Sequence, residues 1–193
     1  MKSFKSYKWS NYGDLYRKYF PNPSKLLEIG VAEGGSLIQW RNWYPNAEIH
    51  GADCRPQSKV MEKEGFTIHI LNQSKPSELA KLPDGFDVII DDGGHRPYQQ
   101  LASFNALFPK LNEGGVYVIE DLQMSEKLRW QIWQKLFGGP RSIVLDLYGS
   151  MNHHIQASGV KSPMAVHLHP HILFVVKGSL LISETEEMIT TKQ

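Results

Sequence analysis

The chain is short of several features that would each decide a function. Cysteine occurs once in 193 residues, as Cys54, so no internal disulfide can form and a reducing, cytoplasmic compartment is expected. No run approaches the roughly 18 apolar residues that span a bilayer. The opening MKSFKSYKWSNYG has no apolar stretch of the secretory kind, so neither membrane insertion nor export is expected. Net charge is only +1, which leaves no overall field to draw nucleic acid or an anionic surface. Lys2, Lys5, Lys8, Arg17 and Lys18 make the start locally basic, which reads as a solvated face. There is no basic stripe, no internal repeat and no low-complexity linker.

What is there is an ordinary globular composition, 41% hydrophobic and 21% charged, at a length suited to one core. One domain over 1–193 is expected, with a helical segment at 1–24 and a core at 25–121 that holds the chemistry. A helix and strand pair at 122–178 and a polar tail at 179–193 complete it. Short β-rich runs at 25–31, 47–53, 66–71, 86–91, 115–121, 142–148 and 171–178 alternate with helical patterns. That alternation marks an α/β fold with a mostly parallel sheet. Helices are expected around NYGDLYRKYF, over SLIQWRNWYP, over 97–111 and over 125–139; the first precedes all strands. The last two strands have no helix between them and are expected to pair antiparallel.

In an open α/β sheet, ligands bind where strands end and loops cross over. The first strand runs into LLEIGVAEGGS, whose spacing Glu28-x-Gly30-x-x-x-Gly34 differs from the G-x-G-x-x-G of a dinucleotide site. Glycines there let backbone amides approach a ligand, and Glu28 suits a cation or ammonium. A plain strand-to-helix turn is the other reading. Asp53 ends the second strand, where a carboxylate accepts both hydroxyls of a ribose. Asn72 and Gln73 end the third and can meet an adenine edge.

This order is similar to that of class I S-adenosylmethionine-dependent methyltransferases. Within them, DVIIDDGGHRPYQQLASFNALFPKLNEGGVYVIEDL resembles the macrocin and mycinamicin O-methyltransferases and the related cephalosporin-biosynthesis enzymes. The resemblance also takes in YGDLYRKYF, LLEIGVAEGGSLIQWRNWYPNAEIHGAD and VHLHPHILFVVKG. It implies a Rossmann-like sheet of seven strands, the last antiparallel, with helices on both faces. It implies S-adenosylmethionine as methyl donor, with Asp91 facing its methionyl ammonium. The macrolide enzymes carry an extra N-terminal domain that this shorter chain is expected to lack. Gly94 and Asn72 depart from the family pattern, which often has serine and an acid there.

The residues add their own argument. Asp92 follows the fourth strand, and Glu120 and Asp121 end the fifth, so three carboxylates are expected at one rim. Anions that close repel one another, and a hard divalent cation, Mg²⁺ or Mn²⁺, offsets the repulsion. His95, three residues after Asp92, is placed to act as general base. Turn and helix-cap roles are the plainer reading of each acid alone. The combination points to metal-dependent methylation of a hydroxyl on a small, polyhydroxylated, sugar-like or natural-product acceptor. A donor-binding protein without catalysis is the alternative, and a homo-oligomer is left open. Tyr12 and Tyr16 are candidates to cover the cofactor; His167, His169 and His171 read as structural or interface residues.

Overall fold

The computed structural model describes residues 12–121, 165–169 and 171–178. The predicted helix at 125–139, the strand at 142–148 and the polar tail lie outside them.

Among the described residues, seven strands form one sheet: β1 (Lys25–Ile29), β2 (Glu48–Asp53), β3 (Thr67–Ile70), β4 (Phe86–Asp91), β5 (Leu111–Ile119), β6 (Ala165–His169) and β7 (Ile172–Val176). Their order is β3-β2-β1-β4-β5-β7-β6. The pairs among β1 to β5 are parallel, while β7 runs antiparallel to both β5 and β6. The Rossmann-like α/β fold with a reversed last strand is therefore present. Two details differ from expectation. Ala165–His169 forms a strand before β7 that was not among the expected β-rich runs. β5 begins at Leu111 and includes a register shift opposite Phe86 and Val88, so the strand is longer than its apolar run.

The helices are α1 (Tyr12–Tyr19), α2 (Gly35–Trp43), α3 (Pro76–Leu79) and α4 (Pro97–Leu107), with a 3-10 stretch at Pro56–Glu64. Side chains of a strand alternate between faces, and that parity sorts the core. Leu26, Val88, Ile90, Val116, Val118 and Phe174 pack with Tyr16 of α1 and Leu37 and Trp40 of α2. Leu27, Ile89, Tyr117 and Leu173 pack on the other face, against Phe104 and Leu107 of α4. Val88, Ile89 and Ile90 are all fully buried, because a central parallel strand is covered on both sides. Truncating a buried aromatic such as Trp40 costs about 3–5 kcal/mol, which measures how firmly α2 is held.

Tyr12 and Tyr16 belong to this core rather than to a cover over a ligand; they are 1% and 0% exposed. Burial and the packing of Tyr16 against Phe20, Trp40 and Phe174 explain that outcome. His167 packs its ring 4.9 Å from that of Tyr19, a structural role as expected.

Candidate active site

The parallel ladder continues one residue past each central strand. Gly30 N donates to Ala52 O at 2.8 Å, Asp92 N to Ile29 O at 3.0 Å and Glu120 N to Asp91 O at 2.9 Å. These bonds bring four chain ends to one rim. A cavity of about 470 Å³ opens there, lined among others by Gly30, Asp53, Asn72, Gln73, Asp92, His95, Glu120 and Asp121. Glu28, Gly34 and Asp91 do not line it.

The glycine loop is shaped by close approach. Gly30 has φ +96°, and a methyl group added there would sit 2.1 Å from the Asp92 carbonyl oxygen. Gly34 has φ +83° and starts α2; its added methyl would meet Met61 Sδ at 2.3 Å. Gly34 thus seats α2 against the 3-10 stretch and does not touch the cavity.

Asp53 is fixed by five donors. Its Oδ2 accepts Val31 N and Ala32 N, both at 3.0 Å, and Arg55 Nη2 at 3.0 Å. Oδ1 accepts Arg55 N at 2.9 Å and Arg55 Nε at 3.1 Å. Burial acts to raise this carboxyl, but the hydrogen bonds from Arg55 and the backbone outweigh it and hold the group below the usual range. The clasp by Arg55 was not anticipated, although its place two residues on from the acid is a sequence signal for it.

Parity decides what each acid does. Glu28, Asp92 and Glu120 share the face of Leu26, Val88, Ile90 and Val118, and each offers an oxygen within 4.8 Å of the other two. Glu28 is buried, and its Oε2 accepts Ser36 Oγ at 2.6 Å and Trp40 Nε1 at 3.1 Å. The Tyr16 hydroxyl donates a short hydrogen bond to Glu120 Oε1. Burial, then the Glu120 charge, push the Tyr16 phenol well up, so it stays a donor. Asp121 projects away from Glu120 and joins a second group with Asp92 and His95, again within 4.8 Å. His95 Nε2 lies 4.0 Å from Asp92 Oδ1 and 4.0 Å from Asp121 Oδ2. The expected convergence of Asp92, Glu120 and Asp121 is thus divided into two groups that share Asp92. β5 ends at Ile119 and Asp121 has a left-handed backbone, φ +47°, so the two acids part at a turn.

Asp91 points to the opposite face, with Tyr117. It is 1% exposed and accepts Gln73 Nε2 at 2.7 Å and Gly93 N at 3.3 Å. The structure therefore does not bring it to the cavity. Burial pushes its carboxyl up to about 7, and the bonds from Gly93 and Gln73 pull down without offsetting it. An unfolded Asp titrates near 4. Between about pH 4 and 7 the folded chain keeps a proton that the unfolded chain has released. Stability therefore falls as pH rises through that window, by about 1.4 kcal/mol per pH unit for a full proton. In Asp91→Asn, urea unfolding with chelator present is expected to lose that contribution to the slope. An unchanged slope would place the proton elsewhere.

A model of the methyltransferase domain matches residues 27–122. The chain is 30% identical over 196 residues to the demethylmacrocin O-methyltransferase of Streptomyces fradiae, covering 87% of this chain and 48% of that protein. It is 31% identical over 174 residues to the 8-demethyl-8-alpha-L-rhamnosyl tetracenomycin-C 2'-O-methyltransferase of Streptomyces olivaceus, covering 79% and 45%. The MycE methyltransferase of the mycinamycin pathway, solved with Mg, SAH and mycinamycin VI, superposes with a TM-score of 0.68 at 30% identity. That match covers 92% of this chain and 51% of MycE. The chain belongs to the class I S-adenosylmethionine-dependent methyltransferase family. As a class I methyltransferase it spans about half the length of the curated relatives it matches. The family sheet explains why its acids and glycines gather at the ends of β1, β2, β4 and β5. Among the described residues, no helix is long and apolar enough to cross a membrane.

Proposed function

We propose that the chain transfers the methyl group of S-adenosylmethionine to a hydroxyl of a sugar-like small molecule, with a divalent cation. The observation that carries this is one cavity whose wall holds both Asp53 and the Asp92–His95–Asp121 group. A nucleoside-holding acid and an acid–imidazole cluster so placed serve two reactants side by side. The volume is within the usual range for small-molecule sites. The name of the Streptomyces olivaceus relative, an O-methyltransferase of a rhamnosyl compound, supports the acceptor class.

Hard carboxylate oxygens suit Mg²⁺ or Mn²⁺, so Asp92, Glu120 and Asp121 are the residues that would hold the ion, Glu120 and Asp121 reaching it from the two groups that share Asp92. Bound there, the cation supplies Lewis acidity that makes an acceptor hydroxyl easier to deprotonate. Asp53 receives the ribose hydroxyls. Its lone pairs are already filled, so the Arg55 guanidinium, half exposed, gives up its place while Val31 and Ala32 keep the carboxylate aimed. His95 Nε2 takes the hydroxyl proton, and Asp92 and Asp121 nearby stabilise the imidazolium that forms. The carbon–oxygen bond forms as the methyl–sulfur bond breaks, and holding the two reactants in line supplies much of the rate.

Labelled S-adenosylmethionine with Mg²⁺ and a panel of glycosides tests the reading. His95→Ala is expected to lower kcat by about 10²-fold or more while donor affinity stays within twofold. Transfer that persists in excess chelator would contradict the metal's role, and wild-type kcat in His95→Ala would contradict the base.

A further inference from the structure

Gln73 was read from the sequence as a contact for an adenine edge, but both ends of its amide already have protein partners. Nε2 donates to Asp91 Oδ1 at 2.7 Å, and Oε1 accepts Gly94 N at 2.8 Å. The residue is 7% exposed, so water is poorly placed to substitute for either bond. Flipping the amide would face donor to donor at Gly94, so the chemistry of the partners fixes its orientation.

We propose that Gln73 is a positioning residue: its amide clamps the Gly93-Gly94 turn and so sets where His95 stands. The inference rests on the reading of His95 as general base. One side chain ties the end of β3, the end of β4 and the turn together, because Gly93 N also donates to Asp91 Oδ1 at 3.3 Å. The turn is built around the clamp, since a methyl group at Gly93 would come 2.4 Å from Gln73 Oε1. His95 follows at φ +52°, a left-handed conformation that costs a non-glycine residue about 1–2 kcal/mol. Such a conformation persists only where its surroundings hold it. A second tie comes from the neighbouring residue: Gln99 Nε2 in α4 donates to Ser74 Oγ at 3.1 Å. Residues 73 and 74 thus grip the chain on both sides of His95.

The test uses Gln73→Met, which keeps length and apolar bulk but removes the amide, and Gly93→Ala, which presses on the clamp from the turn. In both, amide exchange at Gly94 is expected to quicken about tenfold or more, as one buried and one part-buried hydrogen bond of ordinary worth would give. In Gln73→Met, kcat is expected to fall by a similar factor, with the Kd for S-adenosylhomocysteine within twofold of wild type. Unchanged exchange at Gly94 overturns the clamp whether or not the chain transfers methyl groups. Faster exchange with unchanged kcat overturns its hold on His95. A tenfold rise in Kd with kcat intact would return Gln73 to the adenine.

Discussion

Asp92→Asn is expected to abolish most methyl transfer, lowering kcat/KM by about 10³- to 10⁴-fold, and to weaken Mn²⁺ binding by more than tenfold. Asp92 is the one residue common to the inner group with Glu28 and Glu120 and the outer group with His95 and Asp121. Removing its charge removes an anchor for the cation and a partner 4.0 Å from the His95 imidazole. Its backbone stays in the ladder, with Asp92 N bonded to Ile29 O, so the variant should fold. Activity and Mn²⁺ affinity measured together separate the two losses. Retained Mn²⁺ affinity with lost activity would leave Asp92 acting only through His95.

Gly30→Ala should produce the largest loss of stability. A Cβ atom at that site would lie 2.1 Å from the Asp92 carbonyl oxygen and 2.7 Å from its carbon. The obstacle is backbone held by the sheet, not the end of a flexible side chain, so it cannot swing away. Positive φ adds strain for any L side chain. Overpacking and strain together amount to about 2–5 kcal/mol, a large part of the 5–15 kcal/mol typical of a whole domain. Urea denaturation checks the loss, and Mn²⁺ binding should fall with it because Asp92 is pushed out of place. A Gly30→Ala chain of wild-type stability would mean that the loop relaxes freely.

How much of this was legible in the sequence differs from residue to residue. The strands at 25–29, 48–53 and 86–91 stood out because buried parallel strands are written as apolar runs that stop at glycines and acids. The rim position of Asp53, Asp92 and His95 followed from those strand ends. Which of Asp91 and Asp92 meets the ligand did not, although counting by twos from Val88 and Ile90 carries the answer. The same count puts Glu120 on the face of Val116 and Val118, but the left-handed backbone that turns Asp121 was not legible. Glu28 looked like a cofactor contact because it lies beside the glycine loop, yet the strand turns it inward to Ser36 and Trp40. The Arg55 clasp is local, two residues on from its acid, but the Gln73 clamp and the Tyr16–Glu120 bond depend on tertiary neighbours that no local pattern records. Tyr16 is separated from Glu120 by 104 residues.

A crystal soaked with Mn²⁺ and S-adenosylhomocysteine, read by anomalous scattering, tests the proposed chemistry most directly. The expected result is a peak bonded to Asp92, with the nucleoside at Asp53 and the homocysteine sulfur turned toward His95. A metal peak away from Asp92, or a nucleoside seated away from Asp53, would contradict it.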